Sequence, residues 1–429
     1  MKYIISTLGC KVNQYETQAM ETWLSEQGIE PAAPGERADL VLVNTCAVTA
    51  ESERKSRQMI RRLRDENPGA RIAVSGCYAQ IAPEEMRKLG AEVVFGSGDR
   101  KRFVESALRV LKSGEPEEEI DDPFLRKEYE ELPAGAPSGR TRAMLKIQDG
   151  CVNFCTYCII PYTRGRLRSL PLEKAAEQAE SLAGDGFKEL VLTGIEVASY
   201  GVDLPGRPSL ADVVAAVAEK SGSMRIRLGS LEPTVITDEF CRRLAALGKV
   251  CPHFHLSLQS GCDRTLRAMN RKYDTALFYE KTKLLRTAFP DCAITCDLIT
   301  GFPGETETDH AETLKFIEKC GFSAMHIFPY SRRPGTPADL MPGQCTQAVK
   351  IRRAREAKEI ALRMQEEYLD RQIGCRLPVL FETTEKDGRC YGHSDNYLLV
   401  SVAGDSFSGQ MKRVRITGRE GESLCGVID

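Results

Sequence analysis

The stretch CVNFCTYC, residues 151–158, decides how this chain reads. It sets Cys151, Cys155 and Cys158 in a C-x3-C-x2-C pattern on one short loop, directly after a predicted strand at residues 144–148. Thiolates are the usual ligands of iron–sulfur clusters, so three on one loop suit three irons of a [4Fe–4S] cube. No fourth cysteine is nearby, which leaves one iron open to an outside ligand. A structural zinc site is the alternative, but zinc asks for four protein ligands and this loop offers three.

Outward from the loop the pattern is strand–helix alternation. Strands are predicted at residues 144–148, 189–193, 225–229, 253–258, 294–299 and 325–329, with helices between them such as 172–185 and 307–319. Six such units predict an α/β fold, a partial, open (βα)6 barrel with its chemistry at the C-terminal strand ends. Upstream, residues 1–112 alternate in the same way, with strands at 3–7, 40–44, 72–75 and 93–95, and predict a small parallel α/β domain. Residues 113–140, acidic and then rich in Pro and Gly, read as a solvated linker before the central domain at 141–343. Residues 344–372 carry apolar positions at helical spacing and predict one connecting helix. Five short strands crowd into residues 373–429, as in a small β-barrel of OB-like kind.

Cys10, Cys46 and Cys77 are far apart in sequence, yet each closes a predicted strand, in TLGCK, VNTCAV and VSGCYA. Ends of parallel strands share one sheet edge, so these thiolates can converge on a second cluster, again with an iron free, here for an exogenous sulfur ligand. Coincidental buried cysteines are the alternative. The other ten of the sixteen cysteines show no ligand spacing and read as small buried thiols.

No apolar run approaches the ~18–20 residues of a membrane span, and the N-terminus reads as a first strand. The expectation is a cytoplasmic monomer. A net charge of −2 excludes a globally basic nucleic-acid binder, so any RNA contact must come from local patches. Candidates are Arg164 and Arg166 after the cysteine loop, Arg332 and Arg333 after the sixth barrel strand, and Lys412, Arg413 and Arg415 in the C-terminal barrel. The last group has Tyr391, Tyr397 and Phe407 for base stacking. Solvated surface charge and core aromatics are the alternative.

Several longer strings carry a resemblance: GCKVNQYET (9–17), CIIPYTRGRLRS (158–169), HLSLQSGCDRTLRAMNRKY (255–273), GFPGETE (301–307) and HIFPYSRRPGTPA (326–338). Together they resemble the methylthiotransferase family of radical S-adenosylmethionine (SAM) enzymes over nearly the whole chain, with a TRAM domain as the C-terminal barrel. Within it they look like the subgroup acting on N6-threonylcarbamoyladenosine at position 37 of tRNA. The resemblance implies two [4Fe–4S] clusters and SAM. Cys151, Cys155 and Cys158 would hold the catalytic cluster that reduces SAM, so that an adenosyl radical removes the hydrogen at C2 of the adenine. Cys10, Cys46 and Cys77 would hold the cluster carrying the sulfur, with Asn13, Asn44 and Tyr78 around it.

Tyr157, Thr193, Gly194, Ser230, Glu232, Gln259, Ile299 and Phe302 are the expected cofactor contacts. The expected partners are a tRNA anticodon loop, its adenosine flipped out, and an electron donor such as a flavodoxin or ferredoxin. Glu196, Ala198 and Thr300 depart from the subgroup's pattern. The alternatives are isopentenyladenosine in tRNA or a ribosomal protein as substrate, or a non-catalytic metal-containing RNA-binding protein.

Overall fold

The computed structural model describes residues 1–134, 141–384, 388–404 and 407–429. The first part is an all-parallel sheet of six strands in the order β2-β1-β3-β4-β5-β6. Its strands are β1 (Lys2–Thr7), β2 (Glu30–Pro31), β3 (Leu40–Thr45), β4 (Arg71–Gly76), β5 (Val93–Phe95) and β6 (Glu117–Glu119). Every residue of β3, LVLVNT, is buried, as expected of a central parallel strand covered on both faces. Its alternate residues feed two cores: Val41 and Val43 pack with Ile60 and Leu63, while Leu40 and Leu42 pack with Phe103 and Ala107.

β6 corrects the linker reading. The acidic run at its start pairs in register with β5, Val93 opposite Glu117, because an edge strand needs backbone hydrogen bonds and no apolar side chains. Arg102 and Arg109 neutralise it, at 2.9 Å from Glu119 and 2.7 Å from Glu117. Further along, Glu130 lies 3.4 Å from the buried Arg100, and Leu132 is itself buried. The stretch is therefore folded as far as residue 134; the rest of it, 135–140, lies outside the described residues.

The central part holds β7 (Arg142–Asp149), β8 (Arg168–Ser169), β9 (Glu189–Gly194), β10 (Arg225–Leu228), β11 (His253–Gln259), β12 (Ala293–Thr300) and β13 (Ala324–Pro329). Strands β10-β9-β7 run parallel, as do β11-β12-β13. Bridges Ile226–Val250 and Leu231–Leu256 join the halves. Six parallel strands result, and no pairing of β13 with β7 occurs among the described residues, so the barrel is open as expected. Alternation sorts each strand: Leu145, Ile147, Leu190 and Leu192 pack outward on Ala175, Ala179 and Val213, and the residues between them, Lys146, Glu189 and Val191, face inward.

The helix Gln347–Arg371 then leads to a closed five-stranded barrel of β14 (Arg376–Thr384), β15 (Arg389–Ser394), β16 (Leu399–Ala403), β17 (Met411–Glu420) and β18 (Ser423–Ile428), ordered β14-β15-β16-β18-β17. It docks on the central barrel through buried charge. Glu189 holds Arg225 at 2.5 Å and Arg227 at 2.8 Å. These arginines donate onward to the carbonyls of His393, at 2.9 Å, and Asp395, at 2.8 Å. Tyr397 enters the same joint, stacked between His253 and His393 with ring centroids 4.9 and 4.8 Å away. No helix among the described residues is long and apolar enough to cross a membrane.

Candidate metal and cofactor site

β1, β3 and β4 are neighbours in the sheet, with Thr7 opposite Asn44 and Thr45 opposite Gly76. Cys10, Cys46 and Cys77 therefore leave the sheet on one edge. Two glycines let the thiols close in. Gly76 has φ +104°, and a Cβ there would sit 2.4 Å from the Thr45 carbonyl oxygen. Gly9, at φ +119°, would place a Cβ 2.9 Å from that of Cys46. The recurring Gly–Cys pair is thus a sequence signal beyond the strand ends themselves.

Asn13 and Asn44 tie the loops together: Asn13 Nδ2 donates to the Thr45 carbonyl at 3.1 Å, and Asn44 Nδ2 to the Asn13 carbonyl at 3.0 Å. Tyr78 is spent elsewhere, its hydroxyl accepting from Arg57 at 2.6 Å.

Burial, reinforced by Cys77, pushes the Cys46 thiol up to about 11. Cys10 sits at the solvent-exposed side of its triad. On the other loop burial pushes Cys151 and Cys158 up to about 12, and the neighbouring thiols add to both shifts. In each triad the three thiols lie within electrostatic range of one another, and a metal bound there would take them as thiolates. Among the described residues neither triad gains a fourth cysteine, so both fit an iron–sulfur cube with one iron open.

The two triads are adjacent. Cys158 lies within electrostatic range of Cys77, and the helix that follows it, Ile160–Arg164, carries Arg164 into the N-terminal part. Arg164 is fully buried; its Nε donates to Cys77 Sγ at 3.1 Å and an Nη to Asn13 Oδ1 at 3.2 Å. Glu16 clasps it, and Glu16 in turn lies 2.7 Å from Arg100 and 3.8 Å from Lys146. Asp149, just before the loop, is 3.1 Å from Lys146 and 3.5 Å from Arg164. Burial alone would raise both carboxyls, but these cations overcome it and hold Glu16 and Asp149 well below the usual carboxylate range. Arg164 is thus not an RNA contact, which corrects its sequence reading.

Across the barrel mouth, Arg271 Nη1 donates to Cys155 Sγ at 3.0 Å, its Nε to the Tyr273 hydroxyl at 3.0 Å, and it lies 3.5 Å from Glu232. Sequence reasoning missed Arg271, although it sits within the string at 255–273 that carries the resemblance. Thr193, Gly194, Glu232 and Gln259 stand at or just beyond the C-terminal ends of β9, β10 and β11, around the loop. Gln259 holds a left-handed φ of +65°. Ser230 is exposed. Tyr157 and Ile299 are half-buried against a cluster of Met269, Phe302, Tyr330 and Ala338. Phe302 is fully enclosed, 5.4 Å from the Tyr330 ring, so it supports the pocket wall instead of offering a face to a ligand.

Glu196 lies beside the loop, accepting from Asn153 at 3.2 Å, and burial together with Glu232 raises its carboxyl to about 7.

Arg333 is buried against Glu53, so it joins two parts of the chain and is also corrected. Arg332 is exposed and pairs with Asp339 at 2.8 Å. Arg166, Arg413 and Arg415 are exposed, and Lys412 lies over Phe407. Phe407 packs on Phe381 inside the small barrel, and Tyr397 fills the joint between the two barrels; neither is free to stack on a base.

Comparisons with known proteins agree with this geometry. Residues 2–96 match a family described as "Uncharacterized protein family UPF0004", and residues 145–317 match the Radical SAM superfamily. The threonylcarbamoyladenosine tRNA methylthiotransferase MtaB of Bacillus subtilis is 39% identical over 417 residues, covering 96% of this chain and 92% of the relative. This chain belongs to the methylthiotransferase family of radical SAM enzymes. The Thermotoga maritima MtaB is 37% identical, with 98% and 95% coverage. A tRNA-2-methylthio-N(6)-dimethylallyladenosine synthase of Pelotomaculum thermopropionicum is 34% identical, covering 100% and 97%. The radical SAM methyltransferase TsrM of Kitasatospora setae shares the fold, with a TM-score of 0.56 at 15% identity over 79% of this chain and 77% of its own. Membership brings SAM and [4Fe–4S] chemistry with it.

Proposed function

We propose that this enzyme adds a methylthio group to C2 of N6-threonylcarbamoyladenosine in tRNA, giving 2-methylthio-N6-threonylcarbamoyladenosine. The observation that carries the reading is the pair of adjacent three-thiol sites, each short of a fourth ligand, in a chain aligned end to end with relatives named for that reaction. Cys151, Cys155 and Cys158 hold one cluster, and Cys10, Cys46 and Cys77 the other. The clusters and SAM, when bound, supply the one-electron chemistry and the sulfur that an unactivated aromatic C–H bond requires.

The residues around them orient and insulate. Thr193, Gly194, Ser230, Glu232 and Gln259 border the space for SAM at the barrel mouth. Arg271 donates to a thiol of the loop and Arg164 to a thiol of the sheet, compensating negative charge in a buried setting. Arg166, Arg332, Arg413 and Arg415, with Lys412, offer phosphate contacts for the anticodon stem-loop. The enzyme works in the cytoplasm as a monomer on electrons from a small carrier such as a flavodoxin or ferredoxin.

The test is mass spectrometry of tRNA nucleosides from cells with and without the gene. Loss of the methylthio nucleoside, restored by the wild type but not by Cys155→Ala or Cys46→Ala, is the expected result. If instead the dimethylallyl analogue disappears, the substrate assignment fails and the reaction class stands.

A further inference from the structure

Inside the central barrel lies a cavity of about 320 Å³, walled by the start of the helix Lys11–Glu26, the inner faces of β7, β9 and β10, and the C-terminal barrel. This is at the small end of ligand-site volumes, enough for one side arm of a nucleoside and not for the whole. Its charged lining holds three cations, Lys11, Arg142 and Arg227, and one anion, Glu382, with Met144, Val191 and Tyr397 as the less polar walls. Two of the cations are already matched, Arg142 to Glu382 at 2.7 Å and Arg227 to Glu189 at 2.8 Å. Lys11 has no ion-pair partner among the described residues and is open to the cavity. It is also the first residue of a 16-residue helix whose preceding residue, Cys10, caps no backbone N–H with its side chain. The partial positive charge of that helix end adds to the ammonium's.

We infer that this cavity is the subsite for the threonyl carboxylate of the substrate, with Lys11 as its counter-ion. The inference rests on the function proposed above. Lys11 adjoins Cys10, so the anion site lies one residue from a thiol of the site that delivers sulfur. The N6 arm and the reacting C2 belong to the same six-membered ring, and a base presented to that thiol brings its arm into the neighbouring space. Met144 and Val191 give the threonyl methyl an apolar wall. A dimethylallyl arm in the same cavity would strip water from an ammonium and return nothing.

The experiment compares two anticodon stem-loops on the reconstituted holoenzyme, one bearing threonylcarbamoyladenosine and one bearing its carboxyl methyl ester. KM and Kd are measured for the wild type, Lys11→Met and Lys11→Arg, with iron content and SAM binding followed in each. The wild type should prefer the free acid by about tenfold, the worth of one charge-assisted hydrogen bond. Lys11→Met should lose that preference at unchanged iron content, and Lys11→Arg should keep part of it.

Equal use of acid and ester by the wild type overturns the subsite, and so does a Lys11→Met enzyme that still discriminates. If Lys11→Met weakens both RNAs alike, the lysine contacts an RNA phosphate and the carboxylate assignment is wrong. If the loaded wild type methylthiolates neither stem-loop but does modify a dimethylallyl one, the proposed function itself has failed and the subsite falls with it. The acid–ester comparison on the wild type leaves the protein untouched, so its outcome does not depend on how a variant folds.

Discussion

Cys151, Cys155 and Cys158 sit within one loop at residues 151–158, whereas Cys10, Cys46 and Cys77 come from three strands whose neighbours are set by the sheet. The loop triad needs little more than its own turn and the end of β7. The sheet triad needs β1, β3 and β4 in register, two glycines in left-handed backbone, and an arginine delivered from the barrel. Similar thiol sets thus differ in how much of the chain must be folded before they exist. A change far from the cysteines should therefore damage the sheet triad first.

The sharpest break comes from the thiols themselves. Cys155→Ala should abolish both SAM cleavage and product, while Cys46→Ala should abolish product yet leave SAM cleavage by the loop cluster, read by assaying 5′-deoxyadenosine. If both variants stop SAM cleavage equally, the two sites are not separable.

Next is Glu16→Gln. It leaves Arg100, Arg164 and Lys146 without their shared anion, and breaking a buried pair in this way costs about 3–5 kcal/mol. Chemical denaturation should show that loss. In the folded fraction, about half of the iron should disappear, with the electron paramagnetic resonance signal of the loop cluster retained.

A smaller effect belongs to Glu196, beside the loop triad. Its folded carboxyl is raised to about 7 because burial and Glu232 disfavour the charge. The neutral form is favoured in the fold, so its contribution is complete below the unfolded value of 4.5 and is lost as pH rises through about 7. Glu196→Gln should accordingly match the wild type in stability near pH 4 and exceed it by about 2 kcal/mol near pH 8, after discounting for partial exposure. A gain that is the same at both pH values would deny the titration.

The smallest expected effect separates arginines that look alike in the sequence. Arg415→Ala should leave thermal stability nearly unchanged and reduce the salt slope of stem-loop binding by about one. Arg333→Ala should do the reverse, lowering stability because it strands Glu53 at a buried joint.

Much of the site is legible in the sequence because its signals are local. The C-x3-C-x2-C spacing lies in one string, and a cysteine at the end of an apolar run marks its own place at a strand end. The polar positions at the ends of β9, β10 and β11 follow from the same alternation. What the sequence misleads on depends on partners far away along the chain. Arg164 and Arg333 look like surface charges because nothing near them shows Glu16 or Glu53. The acidic stretch at 117–119 looks like solvated linker, since edge-strand pairing leaves little trace in side-chain pattern. Tyr397 and Phe407 look like stacking aromatics, and only the packing in and around the small barrel shows them to be filler.

The sequence by itself determined the two cysteine triads as candidate ligand sets, the parallel strands that carry them and the class of chemistry of the chain. Only the tertiary structure decided that the triads come within electrostatic range of each other, that Arg164 reaches from beside one to Cys77 of the other, and that Lys11 faces the barrel cavity without a counter-ion among the described residues. The reason is physical: thiol spacing and strand periodicity are properties of neighbouring residues. The fate of a buried charge is set by what it meets across the fold, and Glu16, Arg100, Lys146, Asp149 and Arg164 meet only there.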